Sequence, residues 1–256
     1  MVYINTIQIL CFTACGREGK EIMYKKETIE KMLANANALK EKYMSFDVSD
    51  IKLCISKKND KIGKVMNISL MPVLTCGNCS HCMGYCYDVK ACVFRTTVID
   101  ARMRNTVLYW KDPNEYFARI RKALKRRKAH KFFRWHVGGE IPNYSYFCEM
   151  VQIAKEYPDF YFWTYTKMYW LVNRYCKEHG KDAIPENLCI MFSEWDGMPL
   201  NNPYNFPIFT CKLKDGNKNH EPEFFNTLWK CPGNCDVCKA AHRGCMAKES
   251  TYADEH

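Results

Sequence analysis

The stretch FYFWTYTK, residues 160–167, is the middle one of three short apolar runs that decide the fold of this chain. KFFRWHV (131–137) precedes it and NLCIMFS (187–193) follows it, and all three have the length and the aromatic or aliphatic content of buried strands. Segments of helical spacing at 145–157 and 168–180 separate the runs, and Gly180 is the expected end of the second helix. Apolar strands that alternate with helices predict βαβ units and a parallel sheet covered on both faces.

The carboxyl ends of these strands carry residues suited to chemistry, and in parallel sheets ligands bind at that edge. After the first strand, Gly138 and Gly139 let the backbone approach a ligand closely, and Glu140 offers a carboxylate to an amine. After the second strand, Lys167 is able to hold a carboxylate or a phosphate. The plain alternative is a tight turn with solvated charges.

A third strand end adds two more acids. Glu194 and Asp196 follow NLCIMFS and form a pair of carboxylates that general acid–base work would need. Acids are common in turns, so this pattern is weak. The aromatic residues near these ends indicate core packing more readily than a stacking platform; they are Trp135, Trp163, Tyr165 and Trp170.

Cysteine is unusually frequent, at 16 of 256 residues. Eight of these cysteines fall in two short stretches, CGNCSHCMGYCYD (76–88) and CPGNCDVCKAAHRGC (231–245). A chain of this length buries a sizeable core without disulfides, and neighbouring thiols converge easily on one metal centre. The pattern predicts metal ligation in a reducing, cytoplasmic setting.

The first cysteine group consists of Cys76, Cys79, Cys82 and Cys86. Three of these thiols would leave one iron of a cubane cluster open to a substrate or cofactor, whereas Cys76 as a fourth ligand would close the site. Thiolates also suit zinc, so the metal stays open between iron–sulfur and zinc.

The tail group has the spacing C-x3-C-x2-C at Cys231, Cys235 and Cys238, with Cys245 as a fourth ligand and His242 as a substitute. Four thiolates without an open position are typical of a structural zinc or a fully ligated [4Fe-4S] cluster. Free surface thiols are the alternative.

The chain carries a formal net charge of +10, much of it in the run ARIRKALKRRKAHK. The basic residues from Arg119 to Lys131 are suited to nucleic acid, or else form a solvated helix face. No run approaches the about 20 apolar residues of a membrane span, so we expect no membrane association. Residues 1–22 have no basic segment typical of a signal peptide, and we expect them to be peripheral.

Local signals place further elements before the first strand run. Residues 28–44 have helical spacing, and residues 51–56 (IKLCIS) predict a short strand. A long helical region is expected over 89–109 and another helix after Asp112, its predicted N-cap, with Pro113 in its first turn. We expect a core over residues 23–196 and a cysteine-rich extension over 197–256.

CSHCMGYCY, HVGGEIPNYSYF and FYFWTYTK together resemble the radical S-adenosylmethionine (radical SAM) enzymes. That family carries C-x3-C-x-aromatic-C before the first helix of a partial (β/α) barrel, and a GGE-Pro motif that contacts the methionine amine. Gly138–Glu140 match the GGE, with Pro142 one residue late, and Tyr85 with Cys86 matches the aromatic–cysteine pair. Cys82 stands one position away from the family's middle cysteine.

The pattern also resembles an uncharacterised phage family known as gene product 88. Its members combine a YCYA-like cysteine motif, a small-Gly-acid turn, a Y-T-K strand end and a Cys-Pro-Gly tail. The resemblance runs from about Ile55 to Cys245. The tail is similar to the auxiliary cluster domains that follow many radical enzymes.

The residues and the resemblance lead to one main hypothesis: an α/β iron–sulfur protein with a partial, TIM-like (β/α) barrel. Cys79, Cys82 and Cys86 would hold a [4Fe-4S] cluster, and Gly138–Glu140 would orient S-adenosylmethionine. Glu140 and Lys167 are the candidate catalytic residues, and Tyr85 belongs to the cofactor site. The resemblance implies an unknown substrate, a reductant such as flavodoxin or ferredoxin, and a second cluster or zinc in the tail.

Two other hypotheses stay open. One is a non-catalytic, zinc- or cluster-stabilised nucleic-acid-binding protein, which the positive charge favours. The other is a degenerate relative that keeps its cluster for structure or electron transfer.

Overall fold

The structure, a computed structural model, describes residues 26–58, 62–77, 79, 82–195, 197–213 and 219–254. The peripheral segment predicted for residues 1–22 lies outside this part of the chain, and so does Asp196.

A sheet of seven parallel strands forms the centre of the described residues, and it confirms the predicted α/β class. The strands are ordered β1-β2-β3-β4-β5-β7-β6, and every neighbouring pair is parallel. Their bounds are β1 Met66–Asn67, β2 Phe132–Arg134, β3 Tyr161–Thr166, β4 Leu188–Ser193, β5 Ile208–Lys212, β6 Trp229–Lys230 and β7 Thr251–Asp254.

Helices connect most of these strands. Their bounds are α1 Lys26–Met44, α2 Tyr87–Phe94, α3 Thr96–Lys111, α4 Pro113–Arg126, α5 Tyr144–Glu156, α6 Tyr169–His179 and α7 Cys235–Ala241. Asp112 caps α4 as predicted, because its side chain accepts a hydrogen bond of 2.9 Å from the Glu115 amide. Gly180 ends α6 with φ 83°, a backbone conformation that glycine adopts without a steric cost.

The strand predicted for residues 51–56 is wrong. In this segment only Ser56 pairs, in an isolated antiparallel bridge with Asn67. The Asn105 side chain instead accepts from the Cys54 amide at 2.8 Å and donates to the Cys54 carbonyl at 2.9 Å. A buried side chain on α3 therefore satisfies the backbone groups that a neighbouring strand would otherwise satisfy.

The long helical region predicted over 89–109 is two helices. They meet at Arg95, whose φ of −134° and ψ of 101° are extended, so that α2 ends and α3 begins there. The β-branched pair Thr96 and Thr97 follows, and such residues favour extended backbone more than a helix interior.

The two faces of the sheet are covered by different parts of the chain. Phe133, Phe162, Ile190 and Phe192 point to the face on which the helices pack, and they belong to the main hydrophobic core. Alternate residues point to the other face, since successive side chains of a strand alternate. Trp163, Cys189 and Met191 pack there against Cys238, Cys245 and Met246.

The C-terminal segment is therefore built into the sheet. Residues 197–254 contribute β5, β6 and β7, and α7 with the turn after it covers the face of β2–β4 that the other helices leave open. Among the described residues, no helix is long and apolar enough to cross a membrane.

Candidate functional site

The loop after β2 packs tightly against the chain's own residues. A Cβ atom at Gly138 would lie 1.7 Å from Asp88 Oδ2, and one at Gly139 would lie 2.6 Å from the Leu70 carbonyl oxygen. Gly139 also has φ 75°, in the left-handed region. Close packing within the chain is thus enough to explain why glycine stands at both positions. The predicted approach of these glycines to a cofactor stays a prediction.

Glu140 is buried and its carboxylate is held by three donors. Oε1 accepts from the Ile141 amide and the Thr166 hydroxyl, and Oε2 accepts from the Lys167 amide, each at 2.8 Å. Burial raises the pKa of Glu140, while these hydrogen bonds and the Lys167 charge lower it. Three of the about four hydrogen bonds that a carboxylate accepts are thus made by the chain itself.

The Lys167 ammonium lies beside the first cysteine group. Its Nζ donates to Ser193 Oγ at 3.0 Å, at the end of β4. Burial has the largest single effect and lowers the pKa of Lys167, but the charges of Cys82, Glu140, Cys86 and Cys76 together raise this pKa above its ordinary value. The structure thus brings the two candidate catalytic residues and these three cysteines together at the carboxyl edge of β2–β4.

The first cysteine group shares one neighbourhood. Burial raises the pKa of Cys76 well above its ordinary value, and Glu140, Cys86, Cys79 and Cys82 raise it further. Burial, followed by the charge of Cys82, raises the pKa of Cys86 to about 11. Cys79 is buried and the others are half-buried, and none forms a disulfide. Four reduced thiols at one place are the donor set that iron–sulfur clusters and zinc require.

These thiols are neighbours without being arranged as ligands. Within the described ranges, no three His, Cys, Asp or Glu side chains are placed to hold a metal ion. Residues 78, 80 and 81, which separate the cysteines, lie outside those ranges. The donor chemistry of the first cysteine group fits a thiolate-bound metal, whereas the described residues are not placed in ligand geometry.

At the third strand end the structure describes only Glu194 of the predicted carboxylate pair, since Asp196 lies outside the described residues. Glu194 is buried, and its Oε2 lies 2.5 Å from Nε2 of His220. The His220 ring stacks on Phe224 with centroids 3.7 Å apart. The partner of Glu194 is thus a histidine from the C-terminal segment, which no local signal marked. Tyr85, the other predicted cofactor residue, is half-buried with its ring 5.8 Å from that of Trp195.

The tail cysteines also share one neighbourhood, on the second face of the sheet. Burial raises the pKa of Cys235 to about 11, with Arg134 lowering it and Cys231 and Cys238 raising it. Burial also raises the pKa of Cys245, with Cys189 and Cys235 adding to the effect. His242, the predicted substitute ligand, is exposed at the end of α7.

One buried ion pair supports this edge and was not anticipated. Arg102 on α3 donates to both carboxylate oxygens of Asp88, at 2.9 and 3.2 Å, and Asp88 is almost fully buried. Asp88 follows the C-Y pair at Cys86 directly, so its position next to the cysteine motif is the only signal that pointed to it.

Comparison with known proteins gives one result. A family model described as Gene product 88 matches residues 37–201, which is more than half of the chain. The chain belongs to the gene product 88 family. No curated protein and no solved structure matches it.

The gene product 88 region contains the first cysteine group, Glu140 and Lys167, and it ends before the tail cysteines. The family predicted from the sequence is therefore confirmed for the part of the chain that holds the candidate site. The tail cysteines lie beyond the matched residues, in the segment that adds β6 and β7 to the sheet.

Part of the positive charge of the basic segment 119–131, the predicted nucleic-acid-binding segment, is neutralised by ion pairs within the protein. Arg119 pairs with Glu115 at 2.6 Å, and its guanidinium also donates to two backbone carbonyls. Arg121 pairs with Glu149 and Glu156, and Lys131 pairs with Asp159. The buried side of α4 is apolar, so its basic residues form the outer side of an amphipathic helix.

Proposed function

We propose that this gene product 88 protein is an iron–sulfur protein whose first cysteine group holds a [4Fe-4S] cluster at the carboxyl edge of the sheet. The observation that carries the proposal is the convergence of Cys76, Cys82 and Cys86 on Lys167 and Glu140. Parallel α/β sheets bind their ligands at this edge. A reducing, cytoplasmic setting goes with the proposal, since thiols stay reduced there.

The finer part of the fold proposal is a partial (β/α) barrel. Strands β1 to β5 are neighbours in chain order, which is the order that a barrel built from successive βα units has. The loops after β2, β3 and β4 then surround the cysteine group.

Cys79, Cys82 and Cys86 are the proposed ligands, and Cys76 stands next to them. Burial holds the pKa of the Cys86 thiol above its ordinary value, so an incoming metal must displace the proton. The Lys167 ammonium offsets part of the negative charge that bound thiolates introduce, which favours the loaded state.

The finer part of the functional proposal is a radical-SAM-like enzyme. A bound cluster would supply one electron for the cleavage of S-adenosylmethionine, and the resulting radical would take hydrogen from an unknown substrate. In this chain, the Glu140 carboxylate would hold the amine of that ligand, and Lys167 would hold a carboxylate. Tyr85 and Gly138–Glu140 would line the same place, and flavodoxin or ferredoxin would deliver the electron.

The tail cysteines are proposed to hold a second metal centre, either an auxiliary cluster or a zinc. Cys231, Cys235, Cys238 and Cys245 supply four thiolates, which complete such a site without an open position.

Anaerobic purification with iron and sulfide analysis tests the proposal, together with EPR of the reduced protein with and without S-adenosylmethionine. We expect about four irons per chain with a zinc tail, or about eight with two clusters, and an EPR signal that S-adenosylmethionine alters. Two zincs per chain with salt-sensitive DNA binding would overturn it and favour the nucleic-acid-binding alternative.

Matched variants localise the cluster. Cys86→Ser is expected to lose the first cluster's iron, whereas Cys148→Ser, which changes a half-buried thiol on α5, is expected to keep it. Equal iron content in both variants would show that the first cysteine group does not bind the cluster.

A further inference from the structure

Among the described residues, no carboxylate pairs with Arg134, which lies at the edge of the tail cysteine group. Arg134 ends β2 and points to the second face of the sheet, where its Cζ lies 4.8 Å from the centroid of the Tyr165 ring. Its Nε is buried and has no hydrogen-bond partner in the part of the chain that the structure describes. The charges that raise its pKa against burial come from Tyr87, Tyr165, Cys235 and Cys245.

Two indole N–H groups lie around the same cysteines. Nε1 of Trp163 is buried and meets no acceptor within the described part of the chain. Trp163 packs in one cluster with Cys238 and Cys245, and Trp229 packs against that cluster. Burial raises the pKa of the Cys238 thiol, and a hydrogen bond with Trp229 lowers it, so the thiol is the acceptor that the Trp229 indole faces.

Buried donors that lack a strong acceptor are unfavourable, because most buried polar groups in proteins are paired. A neutral thiol is a weak acceptor, whereas a thiolate sulfur bound to a metal carries negative charge and accepts more strongly. The donors therefore fit a tail group that is deprotonated and bound to metal.

We propose that Arg134, Trp163 and Trp229 form a donor shell around a metal–thiolate centre on Cys231, Cys235, Cys238 and Cys245. This inference rests on the metal site proposed for the tail and adds the residues of the sheet that stabilise it. Four thiolates around Zn²⁺ or around a [4Fe-4S] core leave a net charge of about −2. Arg134 offsets part of this charge, so metal binding also attaches the C-terminal segment to the sheet.

A zinc titration that follows each cysteine separately tests the donor shell. Zn²⁺ buffered by a chelator is added to the reduced full-length chain. The alkylation of Cys231–Cys245 is then measured by peptide mass spectrometry at each zinc concentration. We expect Arg134→Met to weaken zinc protection of these cysteines about 10- to 100-fold. Arg134→Lys keeps the positive charge but lacks the planar guanidinium, so its zinc affinity should lie between those of Arg134→Met and the wild type.

Arg174→Met is the matched control, because it removes the same charge from an exposed pair on α6 with Glu178. It should leave the tail affinity unchanged. Unchanged affinity in Arg134→Met would overturn the donor shell while the metal site stands. If the tail cysteines of the wild-type chain gain no protection from zinc or from a bound cluster, the tail metal site fails, and the inference fails with it.

Trp229→Phe provides a second variant in case Arg134→Met does not fold. It keeps an aromatic ring but removes one N–H donor, so we expect a loss of affinity of about tenfold at most. Circular dichroism of each variant separates misfolding from weakened binding. A Trp229→Phe protein that folds and binds zinc like the wild type would contradict the shell.

Discussion

Arg102 and Asp88 form a two-point ion pair beneath the cysteine motif, with nitrogen–oxygen distances of 2.9 and 3.2 Å. The pair joins the start of α2 to the middle of α3, and Asp88 also lies against the position that a side chain at Gly138 would need. It therefore connects the first cysteine group to the loop that carries Glu140.

Removing the cation of this pair should be strongly destabilising. Arg102→Met leaves the Asp88 carboxylate buried without its partner, so we expect a loss of about 3–5 kcal/mol in the free energy of unfolding. Urea denaturation followed by circular dichroism measures it. Arg174→Met, which breaks an exposed pair, is the control and should change stability little. A similar small loss in both variants would show that the buried pair contributes little.

A methyl group at Gly138 should disturb the same pair. Gly138→Ala places a carbon within 1.7 Å of Asp88 Oδ2, which the Arg102 pair holds in place, so we expect a loss of about 2–4 kcal/mol. Gly77→Ala is the matched control, because its new carbon would meet only the flexible end of Met168. Thermal melts of the two variants should differ clearly. Equal melting temperatures would mean that the loop after β2 relaxes freely.

His136 should make the protein less stable in acid. The residue is buried, its Nε2 lies 3.1 Å from the Tyr146 hydroxyl, and burial lowers its pKa to about 3. The unfolded chain binds this proton near pH 6.5 and the folded chain near pH 3, so protons favour unfolding between these values. Stability should fall by up to about 1.4 kcal/mol per pH unit below pH 6.5.

His136→Gln tests this dependence, because glutamine does not titrate in that range. The difference in unfolding free energy between the wild type and the variant should become smaller as the pH falls from 7.5 to 4.5. Urea denaturation at several pH values measures it. A constant difference would show that His136 takes no part in acid unfolding.

Cys76 and Cys86 should respond differently to replacement by serine. If the cluster keeps one open iron, Cys76→Ser retains iron and the change in EPR signal caused by S-adenosylmethionine, while Cys86→Ser loses the cluster. Iron analysis and EPR of both anaerobically purified variants measure it. Loss of iron from Cys76→Ser as well would identify a closed, four-cysteine site, and the radical-SAM-like part of the proposal would then be withdrawn.

Much of the α/β core could be predicted because its signals are local. The runs at 131–137, 160–166 and 187–193 contain β2, β3 and β4, and Asp112 and Gly180 mark helix ends as predicted. Each signal acts within a few residues, through backbone conformation or a side-chain cap. The candidate site followed from the rule that parallel strands present their carboxyl ends together.

The errors came from contacts between distant parts of the chain. Residues 51–56 have the composition of a strand, but Asn105 satisfies the backbone there from 51 residues away. Trp170 has an aromatic side chain typical of a core, yet it is 56% exposed because it lies on the outer side of α6. The partners Asp88–Arg102 and Glu194–His220 were missed for the same reason.

The sequence by itself determined the class of the fold, the gene product 88 family and the two cysteine groups, because apolar alternation and motif spacing are properties of neighbouring residues. Only the tertiary structure decided that the tail cysteines pack on the second face of the sheet, near Arg134, Trp163 and Trp229. These positions depend on the pairing of β5, β6 and β7 with the sheet, which brings together side chains that are distant along the chain.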